Sequence, residues 1–163
     1  MTAITALLHT ENDALRLGRA LETLYACDDI LIVDHGSRDG TLRIARNYGA
    51  KVVDAVPGFS PQDYLLLGRG FARAGWILCL DPCESLTEKL AASLFEWKSE
   101  SLRAKALAFS VFLREETAEG WVEIPAAQTR LVPHSWRSWN GKYPLHEPSA
   151  LALEGELLRF TFP

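Results

Sequence analysis

The feature that most constrains this chain is a pair of apolar runs that each stop at an aspartate: residues 30–34 (ILIVD) and 76–81 (WILCLD). Unbroken apolar residues, rather than alternating ones, suit strands buried on both faces, as in a parallel sheet. A turn and a helix-like segment follow each run, so both strands would point the same way. Open α/β sheets bind ligands in the crevice beyond the carboxyl ends of such strands. Asp34 and Asp81 would then stand at one rim. Two carboxylates there suit a metal-bound, phosphate-bearing ligand.

The first hundred residues repeat the same alternation. Residues 3–8 read as a strand, and 12–25 as a helix with Ala14, Leu17, Leu21 and Leu24 on one face. Residues 30–33 form the second strand, 41–48 a short helix closed by Gly49, and 51–53 the third strand. A loop over 56–61 (VPGFSP) leads to a helix reaching residue 74. The fourth strand is 76–80, after which Ser85 opens a helix as a capping box with Glu88. This order predicts an α/β fold, with a mainly parallel sheet and helices on both faces. The remainder is β-rich. Residues 105–113 and 121–124 flank a polar turn, Asn140-Gly141 is a hairpin signal, and 151–153 and 157–162 flank a Glu154-Gly155-Glu156 turn. No repeat, low-complexity tract or linker interrupts the chain. The expectation is one domain over 1–163, with a βα half at 1–100 and a β-rich half at 101–163.

A length of 163 residues with 48% hydrophobic content is enough for one sizeable core. The net charge of −4 and pI of about 5.6 argue against a general nucleic-acid surface. No apolar run approaches the roughly 18 residues of a membrane span. The apolar start MTAITALL lacks a basic flank, and three cysteines show no framework spacing. The expected location is the cytoplasm, including the inner membrane face.

Five motifs fall in order along this framework. Thr10-Glu11-Asn12-Asp13 follows the first strand, and Val33-Asp34-His35-Gly36-Ser37-Arg38-Asp39-Gly40-Thr41 ends the second. Residues 44–52 (IARNYGAKV) continue it, and 76–84 (WILCLDPCE) form the fourth strand and its tip. Gln128-Thr129-Arg130-Leu131 and His146-Glu147 come near the C-terminus. Together they resemble a family-2 glycosyltransferase of the GT-A fold, most like bacterial sugar transferases that build lipopolysaccharide cores and related glycans. The resemblance implies a Rossmann-like nucleotide-binding half and an acceptor-side β-rich half. It also implies transfer of a sugar from a nucleotide diphosphate sugar to an acceptor hydroxyl, with inversion. Mg²⁺ or Mn²⁺ would serve as cofactor, and a sugar or lipid-linked glycan as acceptor.

The same resemblance distributes roles. Thr10, Asn12, Asp34, Asp81 and Arg130 would bind the nucleotide, Asp81 and Glu84 the metal. His146 would touch the metal or diphosphate, and Glu147 would be the base, with Glu115, Glu116 and Glu123 as other carboxylates to consider. Arg130 would neutralise the leaving group, with Arg137 and Lys142 behind it. The family's Asp-x-Asp is Asp81-Pro82-Cys83 here, and a thiol is a poor ligand for hard cations. An Arg-Asn pair common in the third helix has only Arg69 as a basic counterpart, and the acceptor segment is short.

Other roles fit the same residues. Thr10 and Asn12 are good N-caps, Asp34 suits an Asx-turn, Asp39 suits a turn or N-cap, and Glu84 suits a helix start. His35, Asp81 and Cys83 are permissible zinc ligands, without the paired spacing of a zinc site. Trp136, Trp139 and Tyr143 with Arg137 and Lys142 suit sugar stacking, an anionic membrane face, or a cover over the sheet. The rival to the enzyme is a non-catalytic relative that binds the nucleotide and has lost the metal. A nucleotidyl-transfer reading ranks last, because LLHTENDA lacks a Gly-rich, basic phosphate loop.

Overall fold

The computed structural model describes residues 2–67, 75–99 and 106–162. Arg69, Lys105 and the later part of the helix expected to reach residue 74 lie outside them. The first half runs β1 (Ile4–Thr10), α1 (Ala14–Glu22), β2 (Asp29–Asp34), α2 (Thr41–Asn47), β3 (Lys51–Asp54), α3 (Pro61–Leu67) and β4 (Trp76–Cys79). These strands pair in parallel in the order β3-β2-β1-β4, with Thr10 opposite Asp34 and Leu7 opposite Cys79. Leu31, Ile32 and Val33 are fully buried, as an apolar run between two parallel neighbours demands.

Helices cover both faces. Leu17 and Leu21 of α1, Ala45 of α2, and Leu90, Leu94 and Trp97 of α4 (Glu88–Ser99) share one core. Tyr64 and Leu65 of α3 pack into the other. Edge-to-face contacts of Trp97 with Trp76 and Phe109, at 5.0 and 5.7 Å, join α4 to the sheet.

Beyond β4 the sheet becomes mixed. The remaining strands are β5 (Glu84–Leu86), β6 (Phe109–Thr117), β7 (Gly120–Glu123), β8 (Gln128–Pro133), β9 (Trp139–Asn140), β10 (Tyr143–Pro144) and β11 (Leu151–Arg159). β8 joins antiparallel to β4, and the order continues β8-β6-β11-β5, with β7 beside β6. Both halves of the chain thus share one sheet.

Three local expectations change. Ser85 does not cap a helix but is buried in β5, opposite Leu158. The cap is Thr87, whose Oγ1 accepts from Leu90 N–H at 3.2 Å. Residues 151–159 are one strand rather than two with a turn, and its register shifts between Ala152 and Glu156. Gly155 makes that bulge fit: it has φ +91°, and a Cβ there would lie 2.3 Å from the Leu90 backbone nitrogen. The hairpin after β6 is tighter than the polar run suggested, because Glu115, Glu116 and Thr117 continue the strand. The Asn140-Gly141 hairpin forms as expected, with Tyr143 opposite Asn140 and Gly141 at φ +61°.

Candidate functional site: a cleft at the strand-order reversal

The sheet order reverses between β1 and β4, where chain direction leaves toward β2 on one side and toward β8 on the other. A cleft of about 650 Å³ opens there, beyond the carboxyl ends of these parallel strands. His9 and Thr10 of β1, Glu11, Asp13, His35 and Asp81 form its polar lining. Val56, Pro57 and Phe59 form an apolar wall with Tyr64. The Tyr64 hydroxyl fixes this wall, donating to Val56 O at 3.0 Å and accepting from Val56 N–H at 2.8 Å.

Asp81 is the carboxylate that faces the cleft from β4. Its Oδ1 accepts from Cys83 N–H at 3.1 Å, and Oδ2 accepts from the Lys142 ammonium at 3.1 Å and the Tyr143 hydroxyl at 3.3 Å. Burial would raise its pKa, but the Cys83 bonds and the Lys142 charge hold it below the ordinary value. Asp13 behaves oppositely. Burial first, and then the Asp81 charge, raise its affinity for a proton above the ordinary carboxylate level. Two cleft carboxylates are thus pushed apart in pKa.

Asp34 sits beneath the rim rather than on the cleft wall. It is buried, accepting from Thr10 Oγ1 at 2.7 Å and from Ser37 N–H and Oγ at 2.9 and 2.5 Å. Burial works to raise its pKa and these bonds override it, leaving the group ionised below the usual range. Asn12, at φ +53°, neither caps α1 nor lines the cleft. Its Oδ1 accepts from Arg38 N–H and its N–H donates to Ser37 Oγ, so it clasps the loop after β2 to the loop after β1. Asp39 accepts from Thr41 N–H and Oγ1 at the start of α2, the turn-and-cap role.

Glu84 and Arg130 do not reach the cleft. Glu84 is fully buried, and Arg130 Nη1 and Nη2 donate to its two oxygens at 2.8 and 2.9 Å, while Arg159 adds a bond of 2.9 Å. Burial opposes ionisation of Glu84, yet the two guanidinium groups keep it deprotonated. The pair acts on the site through Asp81, whose N–H donates to Glu84 Oε1 at 2.7 Å. Arg130 also lies 4.3 Å from the centre of the Tyr143 ring. The metal role expected of Glu84 and the diphosphate role expected of Arg130 are therefore corrected: both side chains are committed to each other inside the sheet.

His146 and Glu147 are also placed apart from the cleft. His146 borders a separate recess with Asn140, Arg130 and Tyr143, and the Glu147 carboxylate accepts from Ser149 N–H and Oγ at 3.1 and 2.7 Å. Trp136, Trp139 and Tyr143 pack on the core beneath them as a cover over the sheet. Among the described residues no group of three or more His, Cys, Asp or Glu side chains is arranged to hold a metal ion. The donor set explains this. Asp81 already holds an ammonium, Glu84 points inward, and the Cys83 thiol is a poor ligand for a hard cation. Among the described residues the cleft does not assemble a hard-oxygen ligand set for a divalent ion, and the zinc grouping of His35, Asp81 and Cys83 does not form.

A feature the motifs did not single out is a histidine pair. His9 Nδ1 and His35 Nε2 are 2.9 Å apart, so one ring donates to the other. Burial, then the neighbouring His35 and Lys142, lower the His9 pKa from 6.5 to about 4. The parallel register was the available signal, since it sets β1 and β2 side by side with their loops at one end.

The fold is that of GT-A glycosyltransferases, and the sequence is similar to proteins named glycosyltransferases. The chain is 34% identical over 160 residues to a TPR repeat-containing protein of Synechococcus elongatus, covering 94% of this chain and 38% of that one. It is 32% identical over 91 residues to an uncharacterized glycosyltransferase of Rickettsia felis, covering 55% and 32%. It thus spans about a third of the length of these curated relatives. Among solved GT-A structures, S. aureus TarS superposes with a TM-score of 0.54 at 15% identity, covering 83% of this chain and 29% of that one. No family model matches.

Proposed function

We propose that this chain binds a nucleotide diphosphate sugar and transfers its sugar to an acceptor hydroxyl, with inversion, in glycan or lipopolysaccharide-type synthesis. The observation that carries the reading is the cleft at the reversal between β1 and β4, with Asp81 on its wall and Thr10 and Asp34 bracing its rim. A nucleoside fits its chemistry. Phe59 and Val56 offer an apolar wall to a base, and Asp81 offers a carboxylate to ribose hydroxyls. Sequence likeness to glycosyltransferases supports transfer over binding alone.

An inverting transfer needs a carboxylate to take the acceptor proton as the hydroxyl attacks the anomeric carbon. In place of Glu147 we assign that role to Asp13, which lines the cleft and holds protons more tightly than an ordinary aspartate. The sugar acceptor, a lipid-linked one included, would enter from the open side. No helix among the described residues is long and apolar enough to cross a membrane. Work in the cytoplasm at the inner membrane face remains part of this proposal.

The test is calorimetric titration with UDP, GDP and TDP on the protein and on Asp81→Asn. Binding of one of them, weakened about tenfold by the substitution, supports the donor site. Absence of binding to all three sinks it.

A further inference from the structure

This inference rests on the donor-site reading above and asks what neutralises the diphosphate there. A departing nucleoside diphosphate carries charge that its site must offset. A divalent ion would need several hard oxygen ligands, and the cleft does not assemble them: Cys83 stands where a second carboxylate belongs, and Glu84 is sealed on Arg130. An ammonium does lie on Asp81 instead.

Lys142 sits in the two-residue turn between β9 and β10, which carries its side chain over the cleft to Asp81 Oδ2 at 3.1 Å. The side chain is 44% exposed, so the ammonium keeps an open side. It has three N–H donors, and the bond to Asp81 uses one. The His9–His35 pair adds another donor. Each neutral imidazole has one N–H, and the bond between the rings consumes one of the two. The proton left over is on His35 Nδ1 if His9 donates, and on His9 Nε2 if His35 donates. His9 Nε2 is buried, so the N–H the pair can offer to the cleft is the one on exposed His35 Nδ1, with His9 donating between the rings. Both rings and Lys142 line the same cleft. The carboxylates facing them are Asp81, which the ammonium already offsets, Asp13, whose proton affinity is raised, and exposed Glu11.

We propose that the cleft binds the diphosphate of its nucleotide without a divalent ion, against the Lys142 ammonium and the spare N–H of the His9–His35 pair. Asp81 then serves two ends: it holds the cation in place and leaves it facing the ligand. Lys142 does the work of the metal, and the thiol at Cys83 ceases to be a defect.

The experiment is titration of the intact chain with UDP, GDP and TDP, first with a chelator present and then with Mn²⁺, on the protein, Lys142→Met, Lys142→Arg and His35→Phe. The inference expects binding in chelator that Mn²⁺ changes by less than about threefold. It expects a loss of at least tenfold in Lys142→Met, most of which Lys142→Arg restores, and a smaller loss in His35→Phe. Circular dichroism of each variant confirms the fold. Binding that appears only with Mn²⁺, or that Lys142→Met leaves unchanged, overturns the inference while the donor site stands. Absence of binding under both conditions overturns the donor site and this inference together.

Discussion

Asp81 and Glu84 are three residues apart, and each holds a cation, yet one pair faces the cleft and the other the core. Lys142 on Asp81 is 44% exposed, whereas Arg130 and Glu84 are 1% and 0% exposed. Water screens the first pair and leaves the ammonium of Lys142 with donors open to a ligand. The second pair is desolvated, so each charge is tolerable only while the other is present. The family resemblance implies one metal site for both acids. The turn over Asp81, Pro82 and Cys83 separates them by turning Glu84 inward as β5 begins.

The comparison can be broken most directly at the sealed pair. Glu84→Gln or Arg130→Met is expected to destabilise the fold by about 3–5 kcal/mol in urea unfolding. Asp81→Asn, at the open pair, should change it by no more than about 1 kcal/mol. Equal losses would erase the distinction. Gly155→Ala approaches the sealed pair through the backbone, since β11 delivers Arg159 to Glu84. The added Cβ meets the Leu90 backbone and a left-handed φ, and a loss of roughly 1–3 kcal/mol is expected by the same assay.

Acid sharpens the contrast in another way. His9 is neutral when buried, with its pKa lowered to about 4, so the unfolded chain binds its proton first as pH falls. Its contribution is fully present above pH 6.5 and is lost progressively as pH falls from there to about 4, on the order of 3 kcal/mol. Glu84, Asp34 and Asp81, lowered from ordinary carboxylate values, add their losses below about pH 4. The unfolding midpoint followed from pH 8 to 3 should therefore decline in two stages, and His9→Phe should remove the upper one. The smallest expected effect on stability is at Lys142→Met, within about 0.5 kcal/mol by urea unfolding. Its effect is expected in nucleotide affinity instead.

The parallel half was legible because its physics is local. Buried strands read as apolar runs, Gly49 ends a helix with φ +74°, and motif order follows strand order. The errors fell where distant residues decide. Ser85 joins β5 because Arg130 and Arg159, 46 and 75 residues away from Glu84, fix the strand from across the sheet. Glu154-Gly155-Glu156 has turn composition, but its glycine answers the approach of α4. Of the site, Asp81 was readable and Lys142 was named only as a secondary cation. The histidine pair escaped because only His35 lies in a motif, and its partner is 26 residues distant.

One consequence of the strand order concerns synthesis on the ribosome. β11 is inserted between β6 and β5, parallel to one and antiparallel to the other. Until it emerges, a nascent chain carries two unpaired edges and a Glu84 lacking Arg159. The sheet can close only after translation has passed residue 159, so half-made chains expose strand edges that invite misassembly. A chaperone that shields these edges until β11 arrives would raise the yield of folded protein.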